Sequence, residues 1–242
     1  MAIDLRSFTP ARVALGRTGH SLTTSEWLRF QLDHARARDA VYAELDPGSL
    51  PQPHVLLRSA ARDRNQYLRR PDLGRWLTPD SRKLLTRGDY DAAIVIADGL
   101  SATAVHRHAG PVWEALRKRL AEEAWRLAQL CVVSQGRVAI GDEIGECLGA
   151  KQVVVLIGER PGLTSPDSLG IYLTWDPRPG RTNAERNCIS NVRLEGISYE
   201  LAAHKLQYLM SAARVRCLSG VLLKEDAQSI APPPDGSGPP QL

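Results

Sequence analysis

The sequence predicts an α/β protein in which a Rossmann-like parallel sheet with flanking helices follows a mainly helical N-terminal region. Three observations carry this. Residues 92–97 and 153–157 are continuously apolar and rich in β-branched side chains, as strands covered on both faces must be. Segments with helical spacing separate the strand-like runs, and such alternation favours parallel strands joined by right-handed crossovers. Before Tyr90 the chain instead offers one capped helix and then prolines at 51, 53, 71 and 79, set too closely for a long element. The expected division is a helical region over 1–89, a Rossmann-like domain over 90–226 and a disordered tail over 227–242, rich in Pro, Gly and Ser.

The elements follow in order. Thr23 with Glu26 three residues on is a capping box. Leu28, Leu32 and Ala35, with a second set at Phe30, Ala37 and Val41, predict a helix over about 24–45, ended by Asp46-Pro47-Gly48. Residues 47–90 read as short helices and loops. The strand at 92–97 ends in Asp98-Gly99, and Ser101 can cap a following helix. Trp113, Leu116, Leu120, Ala124 and Leu127 share one face, so 110–130 is expected as an amphipathic helix. Short strands are expected at 131–133 and near 137–140, a helix at 141–150, and further strands at 153–157 and 171–175. Thr182 and Glu185 form a second capping box. Ser198 caps a longer helix with Ala202, Leu206, Leu209 and Ala213 on one side.

Composition narrows the function. The apolar fraction of 43% and charged fraction of 24% are those of a globular protein. No apolar run approaches the ~20 residues of a membrane helix, and Met1 to Asp4 do not read as the start of a secretory signal. Four scattered cysteines with no CxxC pair argue against a disulfide framework or a structural zinc site. Lys plus Arg number 31 against 27 Asp plus Glu, and the excess sits in residues 1–90. The arginines are scattered, and with 5% aromatic residues there is little to stack bases on. A nucleic-acid partner is therefore not expected, nor a membrane.

The motifs hold no catalytic constellation and no metal set. Gly141, Gly145 and Gly149 lie inside a helical segment, unlike a dinucleotide fingerprint, and read as a smooth packing face. Gly99-Leu100-Ser101-Ala102-Thr103 lacks the last glycine of a nucleophile elbow, so Ser101 reads as a helix cap. His106 and His108 point to different faces of a helix and read as surface residues. Ligands of such sheets sit beyond the carboxyl ends of the strands, which directs attention to residues 98–101, 158–166 and 177–191. Gly158-Glu159-Arg160-Pro161-Gly162 puts a carboxylate at that edge. Glu159 could accept hydrogen bonds from the amides of a large ligand or pair with a nearby arginine. Asn187 to Asn191 reads as a polar loop around Cys188, which alone is more often a small buried residue than a contact.

Several segments together resemble one family. They are Gly16-Arg17-Thr18-Gly19-His20, Tyr67 to Arg75, Asp98-Gly99-Leu100-Ser101, Gly136-Arg137-Val138, Gly145 to Ala150, Val155 to Gly162, Arg186 to Asn191 and Leu218-Ser219-Gly220. In this order and spacing they resemble the small (light) chain of ethanolamine ammonia-lyase, over roughly residues 10–226. The resemblance implies an adenosylcobalamin enzyme that converts ethanolamine to acetaldehyde and ammonia by a radical route. A separate large subunit, a TIM barrel, would hold the substrate, and residues 1–89 would contact it in a higher oligomer of large–small pairs. By match to the family's motifs, the cobalamin contacts fall on Val138, Glu159 and Cys188, with no catalytic residue on this chain. No D-x-H-x-x-G motif occurs, since His34 directly follows Asp33, so base-on binding is expected. The implied location is the bacterial interior: an ethanolamine-utilization microcompartment, or otherwise the cytoplasm. The alternative function is a cobalamin carrier or sensor without catalysis.

Overall fold

The computed structural model describes residues 19–223 together with Phe8, Val13 and Leu15. The expected tail at 227–242 lies outside the described residues. The first helix, α1 (Thr24–Tyr42), starts where the capping signal put it: the Thr23 hydroxyl accepts the Glu26 N–H at 3.3 Å. Then come β1 (His54–Arg58) and two short helices, α2 (Arg64–Arg69) and α3 (Pro79–Lys83). The second half runs β2 (Ala93–Ala97), α4 (Ala102–Ala121), β3 (Leu130–Ser134), α5 (Ile140–Leu148), β4 (Gln152–Gly158), β5 (Leu169–Trp175), β6 (Arg186–Val192) and α6 (Tyr199–Arg216).

Among the described residues the strands make one six-stranded sheet in the order β1-β3-β2-β4-β5-β6. The α/β, Rossmann-like expectation holds for its first four strands, which are parallel. The all-parallel expectation does not hold beyond them: β5 runs antiparallel to β4, and β6 antiparallel to β5. The reason is connection length. Nothing helical separates residues 158–169, so the chain turns straight back, as an antiparallel pair allows and a parallel pair does not.

The two faces of the sheet divide the core. Ile94, Ile96, Val132, Val154, Leu156 and Ile171 pack under α4 and α6. Val95, Ala97, Val133, Val153, Val155 and Ile157 pack under α5, against Ile140, Ile144 and Leu148. This is why β2 and β4 read as unbroken apolar runs: every residue of each is buried. The Gly141, Gly145 and Gly149 set does its work here. A Cβ at Gly141 would lie 2.4 Å from Val155 Cγ2 and one at Gly145 2.4 Å from Pro177 Cγ, while Gly149 ends α5 with φ +72°.

Four local expectations need correction. The helix expected over 110–130 runs Ala102–Ala121 instead, which leaves Ala124 and Leu127 outside it. Residues 47–90 are not only helix and loop, because β1 extends the sheet beside β3; its single buried residue, Leu57, gave no run to detect. Residues 137–140 are not a strand. Arg137 and Val138 form the turn into α5, with Ile140 N–H bonded to the Arg137 carbonyl at 2.9 Å. Residues 187–191 are not a loop but lie in β6, whose exposed positions are Cys188, Ser190 and Asn191. No helix among the described residues is long and apolar enough to cross a membrane.

Candidate functional site

From β2 the chain passes through α4 to β3 on one side. From β3 it passes through α5 to β4 on the other. The loops after β2 and β3 therefore part above the middle of the sheet, and a crevice opens at their carboxyl ends. A hollow of about 260 Å³ lies there, lined by Tyr67, Gly99, Leu100, Arg137, Val138, Ile157, Gly158, Glu159 and Arg160. Val138 also borders a second, wider hollow of about 660 Å³ on the α5 side, with Arg75, Asp142 and Arg186 among its walls.

The floor of the crevice is backbone held by buried polar groups. Asp98, 1% exposed, accepts the Gly136 N–H at 3.0 Å, and its other oxygen stands 3.6 Å from Arg64 Nη1. Burial lifts its carboxyl to about 6, against the opposing pull of backbone N–H groups and Arg64. The Tyr67 ring is fully buried, with Arg64 and Arg137 guanidinium groups 4.9 and 4.3 Å from its centre, and its hydroxyl donates to the Gly136 carbonyl at 3.1 Å. Burial raises that phenol, so it remains a donor.

Glu159 follows β4 and is half-buried at the rim. The sequence left open whether it pairs with an arginine; the structure instead gives it Tyr172, whose hydroxyl donates to Oε1 at 2.8 Å. Its second oxygen takes no hydrogen bond from the described residues. Cys188 stands directly across from Tyr172 in the β5–β6 register and is exposed. Loss of neighbouring water raises its thiol, the Tyr172 hydroxyl opposing and the Glu159 carboxylate reinforcing. Its thiol is therefore held in the neutral form at neutral pH. Val138 and Glu159 thus line one hollow, whereas Cys188 does not line it and is connected to Glu159 through Tyr172.

The remaining sequence candidates have structural tasks. Ser101 is fully buried; its hydroxyl accepts the Ala104 N–H at 3.2 Å and donates to the Pro166 carbonyl at 3.1 Å. His106 accepts the Asp46 N–H at 2.9 Å. His108 is not a surface residue: it is 1% exposed, with Nδ1 2.9 Å from the Tyr199 hydroxyl. Among the described residues no group of three or more His, Cys, Asp or Glu is placed to hold a metal. Sequence reasoning missed Arg64, Tyr67 and Tyr172 as parts of this site. Tyr67 lies in a family segment, but nothing in its spacing announced that the ring would support the turn before Val138.

Comparison with known proteins gives one answer. The model of the ethanolamine ammonia-lyase light chain matches residues 2–224. An ethanolamine ammonia-lyase small subunit from Azotobacter vinelandii is 56% identical, covering 98% of this chain and 92% of the relative. Those of Pseudomonas fluorescens (strain Pf0-1) and Ralstonia nicotianae are also 56% identical, each over 93% of this chain and 87% and 88% of their own lengths.

Proposed function

The chain belongs to the ethanolamine ammonia-lyase light-chain family, and from that membership we propose that it works as the small subunit of an adenosylcobalamin-dependent ethanolamine ammonia-lyase. In this reading the enzyme converts ethanolamine to acetaldehyde and ammonia. The large subunit holds the substrate, and this chain closes over the cofactor with the crevice above β2 and β4.

The observation that carries the cofactor's placement is that Val138 and Glu159, 21 positions apart in the sequence, line a single hollow at the point where the sheet's connections part. The residues there suit a corrinoid. Leu100, Val138 and Ile157 offer apolar surface to a broad ring, and the free oxygen of Glu159 offers an acceptor to the amides that fringe it. Cys188 extends the contact along β6. Bound adenosylcobalamin supplies the radical chemistry; this chain's residues position it and keep water out.

The partner-facing element is α1. Only Ala40 of its 19 residues is buried, while Trp27, Leu28 and Leu32 are 47%, 58% and 50% exposed. An apolar face of this kind on a helix is a docking surface for another chain. We assign it to the large subunit, with residues 1–89 as the contacting region, residues 90–226 as the cofactor-facing domain, and pairs assembled into a higher oligomer. The bacterial interior, with or without a microcompartment, is the compartment this function requires.

The test is reconstitution. Acetaldehyde should form from ethanolamine only when both chains and adenosylcobalamin are present. Turnover by the large subunit and cofactor alone would refute a required role for this chain. Tight, coloured cobalamin binding by this chain alone would favour a carrier.

A further inference from the structure

The turn that presents Val138 is held from beneath by Tyr67, which lines the hollow, and by Arg64, Asp98 and Gln135, which do not. Arg64, capped into α2 behind Asp63, has a side chain only 11% exposed. Its Nε donates to the Val41 carbonyl at 2.6 Å, near the end of α1. Its Nη1 donates to the Gly99 carbonyl at 2.8 Å and to Gln135 Oε1 at 3.3 Å, and lies 3.6 Å from Asp98. One guanidinium therefore ties the loop after β2 to the loop after β3. Gln135 sits at φ +58°, a conformation a side-chain-bearing residue keeps only when its surroundings hold it there. Gly136, next in the chain, is gripped on both polar groups, its N–H by Asp98 and its carbonyl by Tyr67. Val138 follows two residues later.

We propose that Arg64, acting through Gln135 and Asp98, is a positioning residue for the cofactor: it locks the 135–138 turn so that Val138 meets the ligand already in place. The inference rests on the reading of this crevice as the cobalamin site. A turn fixed before binding spares the complex the cost of ordering it on binding. The planar fork of arginine serves Val41 from Nε and the Gly99–Gln135 pair from Nη1, two fixed nitrogens where lysine has one.

The test uses the two-chain enzyme and an absorbance titration with adenosylcobalamin, beside thermal melting. Arg64→Lys keeps the charge and loses the fork. Gln135→Gly removes the acceptor and also relieves the left-handed backbone, so it should not lower the melting temperature. Expected is a dissociation constant raised about tenfold by Arg64→Lys and about threefold by Gln135→Gly, with unchanged melting for the latter. Wild-type affinity in both variants, the parent enzyme binding normally, would overturn the positioning role and leave the cofactor site standing. Affinity lost only in Arg64→Lys, in step with its melting temperature, would make Arg64 merely structural and overturn it too. A parent enzyme that binds no cobalamin would remove the underlying reading instead.

Discussion

Tyr172 donates its hydroxyl hydrogen to Oε1 of Glu159 at 2.8 Å, from the middle of β5 to the residue just past β4. The bond occupies one carboxylate oxygen and leaves the second without a hydrogen bond from the described residues. Burial and the adjacent carboxylate raise the phenol, so the donor persists through the physiological range. Tyr172→Phe should weaken cobalamin binding to the two-chain enzyme by about fivefold, the ~1 kcal/mol of one hydrogen bond. A cofactor titration checks this; unchanged affinity would show that the carboxylate needs no such guide.

Glu159→Ala and Cys188→Ala remove groups at the rim and leave the core intact. Each should weaken cobalamin affinity while changing stability by less than about 1 kcal/mol. Parallel cofactor titration and thermal melting separate the two effects. Equal losses in both would make these residues supports of the fold.

Asp142 on α5 and Arg186 on β6 form a two-bonded ion pair at 3.0 and 2.7 Å, each side chain 3% exposed. Asp142→Ala would strand the guanidinium without its counter-charge, at a cost of about 3–5 kcal/mol. Asp142→Leu combined with Arg186→Met should cost much less, since neither charge is then buried. Denaturant titration of the three proteins tests the ordering.

Asp91 gives an acid limit. Arg126, bonded to it by side chain and backbone, holds its carboxyl well below the ordinary range, with Lys151 at 2.9 Å adding to this. A carboxyl lower in the folded than in the unfolded chain contributes stability that is complete above the unfolded value of about 3.9 and fades as pH falls through the folded one. Asp91→Asn should therefore lower the melting temperature at pH 7. The gap between variant and parent should close progressively below about pH 4.

Much of this architecture was written in local patterns. Unbroken apolar runs announced β2 and β4 because both of their faces are covered, and Thr23, Ser101 and Ser198 announced helix starts because each hydroxyl accepts an N–H three residues on. What escaped depended on distant partners. β1 has one buried residue and is a strand because β3 lies beside it. β6 reads as polar because it is the edge strand of the sheet, with only Arg186, Ile189 and Val192 buried. Arg137 and Val138 read as β-formers, yet Gly74 takes the Arg137 N–H at 2.7 Å and turns the chain into α5. For the site, spacing pointed to Glu159, the family resemblance supplied Val138 and Cys188, and neither reached Arg64 or Tyr172, which hold lining residues of the crevice from elements far away in the chain.

Side chains along β6 point alternately to the two sides of the sheet, so the strand can sit in only one of two parities. Arg186 is anchored to Asp142 on one side, while Asn187 bonds the Gly220 and Leu223 carbonyls and Ile189 enters the packed layer on the other. Those three anchors leave Cys188 showing. A slip of one position would hide the sulfur among aliphatic groups and put isoleucine outside, so what the molecule exhibits at its mouth is decided by what it conceals behind.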